Sequence, residues 1–471
     1  MRLGDLIGTP SDLPVTGFAI DHRKVAPGTV FGAFPGSRFN GEDFIADAVG
    51  AGAVAVVARA GVAVEGAAHV VAEDPRQAFA QLAARFFKPF PRTVIAVTGT
   101  NGKTSNVELA RQLWRMAGHP SASIGTLGVT TSDEQVTTGL TTPDIVTFLS
   151  NMAGLAKMGV THAAFEASSH GLSQFRTEGL PVHAAAFTNF SRDHLDYHGT
   201  MEAYFEAKMR LFRDVVEPDG AAVVWTDDPK SDDVIAIARA RGLRVLTVGV
   251  RGETLRLVER RPTQLGQTLT IEAEGKMHKV TLPLIGAYQA ANALTAAGLM
   301  LATGGDLRQT LVHLARVHPV RGRLERAVIT RAGAPLYVDY AHTPDGLIAA
   351  IEALRPHAKG RLITVFGAGG DRDTGKRPLM GEVAARLSDF VIVTDDNPRS
   401  EDPSAIRRDV LAGALGAREV GGRREAIAAA VAEATGDDII LLAGKGHEQG
   451  QIVGDRVLPF DDVSVARECA A

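Results

Sequence analysis

The sequence Thr98-Gly-Thr-Asn-Gly-Lys-Thr-Ser105 follows directly on the apolar run from Thr93 to Val97 and directly precedes a helical pattern. A loop of this composition in this place is suited to phosphate. Its glycines let the backbone approach phosphate oxygens, while the amides and the helix N-terminus offer donors and positive potential. Lys103 can reach the β- and γ-phosphates and the Thr104 hydroxyl can ligate Mg²⁺, which makes Gly99, Thr100, Asn101, Gly102, Lys103, Thr104 and Ser105 candidate ATP contacts. The common motif would place its first glycine where Val97 stands, so the loop is a shorter form, G-x-x-G-K-T, starting at Gly99.

Carboxylate and imidazole chemistry gathers further along. Glu166 ends the run Ala163 to Phe165, and ligands of open α/β sheets bind outside the carboxyl ends of strands. It is read either as an oxygen ligand of Mg²⁺ or as a solvated strand-end carboxylate. The string Asn189-Phe-Ser-Arg-Asp-His-Leu-Asp-Tyr-His198 suits metal or phosphate work, or a hydrogen-bonded polar loop. Lys208 gives a more physical clue. With Thr200 as N-cap and 100° per residue, Tyr204, Phe205, Leu211 and Phe212 form an apolar stripe that has Lys208 at its centre. An inward lysine is costly unless it snorkels, pairs, loses its proton or is modified. A neutral amine that captures CO₂ becomes a carbamate, which turns a misplaced cation into an anionic oxygen ligand.

These groups need elements to hold them. Lys88-Pro-Phe-Pro91 disfavours helix and marks a boundary, after which short apolar runs alternate with helical patterns. Thr93 to Thr98, Thr161 to Ala167, Ala184 to Phe190 and Ala221 to Thr226 are expected strands of a parallel sheet covered by helices. From Leu255 to Leu284 the pattern changes to alternation with Gly266 and Gly275 as turns, which predicts antiparallel strands appended to this sheet; an apolar helix, Tyr288 to Leu301, follows. Beyond His318-Pro319, strands are expected at Leu336 to Tyr340, Leu362 to Phe366, Phe390 to Thr394 and Ile439 to Ala443, a second doubly wound unit. The division is therefore 1–90, 91–318 and 319–471, with the chemistry expected in a cleft between the two α/β domains.

Length and composition agree with this plan and exclude others. At roughly 150 residues per domain, 471 residues suggest three domains. With 45% hydrophobic and 22% charged residues, disorder and coiled coil are excluded, and 50 glycines lie above the usual share of about 7%. A net charge of −4 gives no bulk cationic field for nucleic acid or anionic lipid, so anionic ligands must be held by local groups. The single cysteine, Cys469, can form no intramolecular disulfide or thiolate cage and fits a reducing compartment. Met1 to Pro10 lacks the apolar stretch of a signal peptide, and Ala46 to Val71 is too polar to span a bilayer, so the reading is of a cytoplasmic protein.

Beyond the phosphate loop, the chain carries Thr141-Thr-Pro143, Glu166-Ala-Ser-Ser-His170, Asn189-Phe-Ser-Arg-Asp-His194, Tyr204-Phe-Glu-Ala-Lys208 and Gly286 to Asn292. Further on stand Gly322-Arg-Leu-Glu325, Asp339-Tyr-Ala-His-Thr-Pro344, Gly369-Gly-Asp-Arg-Asp373, Asp396-Asn-Pro-Arg399 and Gly444-Lys-Gly-His-Glu448. In order and spacing this set resembles the Mur ligase family, the ATP-dependent amide-forming enzymes of peptidoglycan precursor synthesis, which serve cell shape and division.

The resemblance implies an α/β fold of three domains: an N-terminal one for a UDP moiety, a central P-loop ATPase sheet and a C-terminal Rossmann-like domain for the incoming amino acid. By the same analogy Lys208 is the carbamylated lysine (N6-carboxylysine) and joins Thr104, Glu166 and His194 around two magnesium ions. Asn292 faces adenine, Arg323 reaches the γ-phosphate and Asp339 meets the ribose. Thr141, Thr142, Ser168, Gln174 and Arg176 match positions that hold the muramoyl-peptide, while Ile20, His22, Ser37, Arg38 and Phe39 match the uridine side. His22 stands where relatives commonly have Ser, and Leu140 where some have Asn.

Arg372, Asp396, Asn397, Pro398, Arg399, Gly444 and Glu448 match the amino-acid site, and the string Asp396 to Arg399 is similar to the diaminopimelate type. A physical reason agrees. Diaminopimelate differs from lysine by a carboxylate on the distal carbon, which a guanidinium binds through two parallel bonds. Lysine would leave Arg399 unmatched at roughly 1–3 kcal/mol for a buried polar group.

The implied reaction joins meso-diaminopimelate to the D-Glu γ-carboxylate of UDP-N-acetylmuramoyl-L-Ala-D-Glu through an acyl phosphate. Lys103, Glu166, His194, Lys208 and Arg323 form its catalytic set, with His342 or His194 as candidates for proton removal. A monomer is expected, with no nucleic-acid or membrane partner. Three alternatives stand: the same reaction with L-lysine or L-ornithine, a folylpolyglutamate synthetase-like ligase, and a P-loop ATPase of another class.

Overall fold

The computed structural model describes every residue except 37, 38, 133, 137–139, 264 and 265. The chain packs into two compact units, Met1–Val248 with Thr295–Asp306, and Gly249–Leu294 with Leu307–Ala471.

The first unit holds two sheets. At its N-terminal end Gly17–Ala19, Thr29–Gly32, Ala53–Ala58 and Ala68–Val71 pair in that order, all parallel. The weakly polar stretch after residue 45 thus folds as the helix Ile45–Gly50 and two of these strands. The helix Pro75–Phe87 starts where Asp74 accepts a hydrogen bond from the Gln77 amide, with proline in its first turn, and it buries Phe79, Leu82 and Ala83. These side chains share one core with Val94, Phe148 and Phe165 of the larger sheet, which is why the N-terminal segment packs with the middle of the chain. Each fully buried phenylalanine contributes about 1.5–3 kcal/mol of transfer free energy.

In the larger sheet the parallel strands run Arg244–Gly249, Val216–Trp225, Val182–Phe187, Thr93–Thr98, His162–Glu166, Ser121–Gly125, followed by Gly128–Thr130 and Gln135–Val136, both antiparallel. Thr98 is in register with Phe187 and Val97 with Glu166, so the phosphate loop, Glu166 and the Thr188–Ser191 segment leave the sheet at one edge. The strand expected through Phe190 stops at Phe187 because the chain there turns onto the phosphate loop. The Thr188 amide donates to the Thr98 carbonyl (3.1 Å), and the Phe190 amide to Asp228 Oδ2 (2.8 Å).

In the second unit, Leu255–Thr263, Gly266–Ala273 and Lys276–Leu282 form the expected antiparallel strands. They belong by packing to this unit. Its main sheet has the order Glu325–Ile329, Pro335–Asp339, Ile439–Ala443, Leu362–Phe366, Phe390–Val393, Arg418–Glu419; all pairs but the first are parallel. Separate apolar cores cover its two faces, one holding Leu347, Phe366 and Met380, the other Leu336, Ile427 and Ala466. Asp339, Phe366, Val393 and Ala443 end their strands together, and the loops that follow them carry the candidate amino-acid residues. Cys469 is half-buried at the edge of the second core, where burial pushes its thiol up.

Candidate active site

In the first unit the phosphate loop is tied down by the segment that follows the next strand. The Thr100 amide donates to the Asn189 carbonyl (2.9 Å), the Asn101 amide to Asn189 Oδ1 (2.8 Å), and Thr188 Oγ1 to the Asn101 carbonyl (2.6 Å). Gly99 has φ 145°, and a Cβ there would collide with Thr188 Oγ1, so this position requires glycine. Lys103 Nζ donates to the carbonyls of Gly99 (3.0 Å) and Thr100 (2.7 Å). Thr104 and Ser105 are buried in the first turn of the helix Lys103–Met116.

Lys208 meets the same loop from beneath. Thr200 caps its helix through the Ala203 amide, and the side chain is 1% exposed, so it does not snorkel. Its Nζ donates to the Gly99 carbonyl (2.8 Å) and lies 4.4 Å from the centre of the Tyr204 ring, with no carboxylate within ion-pair distance among the described residues. Burial, reinforced by the charge of Lys103, holds its amine well below the usual lysine range, and Asp193 offsets only part of this. The snorkelling and salt-bridge readings of Lys208 therefore find no support among the described residues.

Glu166, 1% exposed, accepts from the Thr126 amide at Oε1 (2.7 Å) and from the Thr126 hydroxyl at Oε2 (3.2 Å). A Cβ on Gly125 would collide with this carboxylate. From Glu166 a continuous network runs outward. Thr126 Oγ1 meets Thr141 Oγ1 (3.1 Å), and Thr142 Oγ1 donates to the Glu166 carbonyl (2.7 Å) and lies 3.0 Å from Ser168 Oγ. Arg176 donates to the Thr142 carbonyl (2.8 Å) and to Gln174 Oε1 (2.7 Å), and Gln174 Nε2 donates to the Tyr197 hydroxyl (2.9 Å). The structure thus brings Thr141, Thr142, Ser168, Gln174 and Arg176 together and adds Thr126 and Tyr197, which sequence reasoning missed. His194, at φ 52°, has its ring edge-on to His170 at 4.9 Å between centres. Burial, reinforced by the charge of Lys103, lowers its pKa against the pull of Asp193.

A cavity of about 560 Å³ opens in the same unit, lined by Phe18, Ile20, His22, Phe34, Phe39 and Thr147 among others. His22 lies flat on Phe44, their rings 4.4 Å apart. An apolar, aromatic wall of this kind suits a planar base. Ser37 and Arg38, expected beside Phe39, lie outside the described residues.

In the second unit Asn292, Arg323 and Asp339 converge. Asn292 Nδ2 donates to Gln289 Oε1 (3.4 Å), Gln289 Nε2 donates to the Arg323 carbonyl (3.0 Å), and the Arg323 guanidinium lies 4.7 Å from the centre of the Tyr340 ring. Asp339 Oδ2 accepts from the Leu324 amide (2.7 Å) and the Tyr288 hydroxyl (3.2 Å); burial raises its carboxyl pKa, partly offset by Arg323. Burial likewise pushes the Tyr340 hydroxyl up to about 12.

The amino-acid candidates form a second cluster there. Arg399 Nη1 donates to the Gly370 carbonyl (2.6 Å), and a Cβ on Gly369 would stand 2.9 Å from Nη1 and 3.8 Å from Arg372 Cγ, so both arginines pass over a glycine. Asn397 Nδ2 donates to Glu448 Oε2 (2.8 Å), and its amide to Asp396 Oδ1 (2.7 Å). Gly444, at φ 110°, would place a Cβ 2.6 Å from Asp396 Oδ2. Pro398 turns the chain, its carbonyl accepting from the Glu401 amide (3.1 Å).

Family models match three successive stretches: "Mur ligase family, catalytic domain" over residues 14–87, "Mur ligase middle domain" over 97–300 and "Mur ligase, glutamate ligase domain" over 322–446. The UDP-N-acetylmuramoyl-L-alanyl-D-glutamate--2,6-diaminopimelate ligase of Zymomonas mobilis is 61% identical over 461 residues, covering 97% of this chain and 95% of that protein. The chain belongs to the Mur ligase family. A protein of the same printed name from Bradyrhizobium diazoefficiens is 52% identical over 98% of this chain and 97% of its own. A solved structure bearing that name superposes with a TM-score of 0.75 at 34% identity, over all of this chain and 98% of that one.

The three-domain Mur ligase architecture places the chain's P-loop sheet in the middle. A Mycobacterium tuberculosis folylpolyglutamate synthase complexed with ADP shares the fold at 21% identity and a TM-score of 0.64, over 77% of this chain and 89% of that one. The relatives from Zymomonas mobilis and Bradyrhizobium diazoefficiens cover 97% and 98% of this chain, against 77% for that synthase. No helix among the described residues is long and apolar enough to cross a membrane. Nor do three His, Cys, Asp or Glu side chains gather there as metal ligands. The buried Thr104 hydroxyl and Glu166 carboxylate are oxygen donors of the kind a hard cation such as Mg²⁺ takes, and a carboxylated Lys208 would add to them.

Proposed function

We propose that the chain is an ATP-dependent ligase of cytoplasmic peptidoglycan precursor synthesis that joins meso-diaminopimelate to the D-Glu γ-carboxylate of UDP-N-acetylmuramoyl-L-alanyl-D-glutamate. One observation carries the choice of acceptor: the Arg399 guanidinium, laid over Gly369 beside Arg372, shares its loop cluster with the Asn397–Glu448 pair. A ligand whose distal carbon carries both an ammonium and a carboxylate finds a partner for each there, whereas the distal carbon of lysine offers the ammonium alone. Full-length likeness to ligases named for this reaction supports the donor substrate.

In this reading residues 1–90 take the uridine moiety at Ile20, His22, Ser37, Arg38 and Phe39. Residues 91–318 take ATP, and residues 319–471 the amino acid. Thr141, Thr142, Ser168, Gln174 and Arg176 hold the muramoyl-peptide; Asn292 and Asp339 take adenine and ribose. The γ-carboxylate of D-Glu attacks the γ-phosphorus, the bond to the ADP oxygen breaks, and an acyl phosphate forms. Lys103 and Arg323 neutralise the charge that develops on the transferred group. The amine of diaminopimelate then attacks the acyl carbon, the amine proton is lost, the carbon–oxygen bond to phosphate breaks and the amide remains. Thr104, Glu166, His194 and Lys208, the last as its carbamate, would hold Mg²⁺, which supplies charge neutralisation at the phosphates.

The test is a panel of amino acids with saturating ATP and UDP-muramoyl-dipeptide, read by ADP release. Diaminopimelate should outcompete L-lysine and L-ornithine. Preference for lysine would overturn the choice of acceptor.

A further inference from the structure

Lys445, which stands in the Gly444–Glu448 motif but is given no role by the sequence reading or the mechanism, has a wholly buried side chain inside the amino-acid cluster. Its three ammonium protons have three acceptors: Asn397 Oδ1 (3.0 Å), Glu448 Oε2 (3.0 Å) and the Gly450 carbonyl (2.7 Å). A tetrahedral donor satisfied in this way is a rigid hub. Around it every amide atom of Asn397 is spoken for. Oδ1 accepts also from the Ile452 amide (2.9 Å), and Nδ2 donates to Glu448 Oε2 (2.8 Å). Glu448 therefore spends Oε2 inward on two donors. Oε1 takes no hydrogen bond among the described residues, and the side chain is 30% exposed, so that oxygen is left for a cation arriving from outside.

The hub also anchors a hairpin. Gly450–Val453 pairs antiparallel with Arg456–Pro459, and this hairpin grips the Asp396–Arg399 loop through the backbone. The Arg399 amide donates to the Ile452 carbonyl (3.0 Å), the Gly454 amide to the Arg399 carbonyl (2.7 Å), and Gln451 Nε2 to the Asp396 carbonyl (2.7 Å). Arg399 has φ 52°, a left-handed conformation that a side-chain-bearing residue keeps only when its surroundings impose it. The two main-chain bonds to the hairpin supply that constraint.

We propose that Lys445 and the hairpin Gly450–Pro459 are a positioning device for the acceptor amino acid: without touching it, they orient Glu448 towards its ammonium and hold Arg399 in place for its far carboxylate. This rests on the amino-acid site described under Proposed function. A buried lysine bound to Asn397, Glu448 and Gly450 cannot reach a ligand itself, so its effect must pass through those groups.

The test is steady-state kinetics of the full chain as Lys445→Met, with Gln451→Ala and Glu448→Gln alongside. Lys445→Met should raise the KM for diaminopimelate by about tenfold or more, as expected for losing a hydrogen bond to a charged group. It should leave kcat within about threefold and the KM values for ATP and UDP-muramoyl-dipeptide unchanged, and it should narrow the preference for diaminopimelate over lysine. If Lys445→Met does not fold, Gln451→Ala, which removes one tie at a partly exposed position, should move the same KM in the same direction by a smaller factor. A folded Lys445→Met, or failing that Gln451→Ala, with wild-type diaminopimelate KM and wild-type selectivity overturns the proposal. If Glu448→Gln raises that KM while the positioning variants do not, only this inference falls. If Glu448→Gln also leaves it unchanged, the reading of the amino-acid site falls and takes the inference with it.

Discussion

Two basic side chains in unusual surroundings carry the proposed chemistry. Lys208 is sealed under the phosphate loop with a carbonyl and an aromatic face for company, and its burial and the nearby charge of Lys103 favour the neutral amine. A neutral amine attacks CO₂ and loses a proton to become a carbamate, which would add a second negative charge to that of Glu166 in the proposed donor set. Lys208→Ala should therefore lower kcat by about a hundredfold or more, the scale of losing a transition-state electrostatic group. Short carboxylic acids should restore part of that activity. Intact mass of the wild type without an added carboxylate, together with no rescue, would dismiss the carbamate. Arg399 is the converse case, a guanidinium that must keep its charge. Arg399→Ala should raise the diaminopimelate KM by about ten- to a hundredfold while barely affecting lysine, because a charged, bidentate partner is worth about 1.5–3 kcal/mol. Equal losses for both amino acids would mean that Arg399 supports the loop and does not read the carboxylate.

The elements explain why some of this could be read from sequence and some could not. Strands such as Thr93–Thr98, Leu362–Phe366 and Ile439–Ala443 are buried on both faces of parallel sheets, so they appear as unbroken apolar runs. Lys208 was legible because one polar residue interrupted a helical stripe. Ser121–Gly125 was not, since its small residues carry neither alternation nor apolar bulk, and so Thr126, which follows it and holds Glu166, stayed hidden. Tyr197 and Lys445 belong to networks closed by residues distant in sequence, which no local spacing reports. His162 is an element-scale case with a measurable consequence. It opens the strand His162–Glu166, its ring stacked 4.3 Å from His119 and packed 5.1 Å from Trp114. Burial, then the charges of His119, Arg92 and His183, lower its pKa from 6.5 to about 4. Between those values the unfolded chain binds the proton and the folded one does not. Stability therefore falls as pH drops from 6.5 towards 4 and gains nothing from this group above 6.5. Melting temperatures of the wild type should decline over that window more steeply than those of His162→Gln; parallel profiles would remove His162 from the acid response.

At the scale of the whole molecule, the chain carries a net charge of −4 yet is proposed to take a nucleotide diphosphate, ATP and a dicarboxylic amino acid, all anionic. No bulk field draws them in, so placed groups must do it: Lys103 and Arg176 in the first unit, and Arg323, Arg372 and Arg399 in the second. The cation expected to neutralise the γ-phosphate, Arg323, and those expected to bind the acceptor, Arg372 and Arg399, stand in one compact unit, whereas the phosphate loop and the network around Glu166 stand in the other. The proposed reaction needs all three substrates for turnover. With ATP and UDP-muramoyl-dipeptide but no acceptor, ADP release should stop at or below one equivalent per enzyme, because the acyl phosphate has no amine to receive it. Adding diaminopimelate should restore continuous release, with ADP, phosphate and tripeptide product in equal amounts. A motor or switch ATPase would instead hydrolyse ATP continuously and ignore the amino acid. Rapid-quench measurement of ADP, with and without diaminopimelate, distinguishes the two, and sustained acceptor-independent turnover would rule out the ligase assignment.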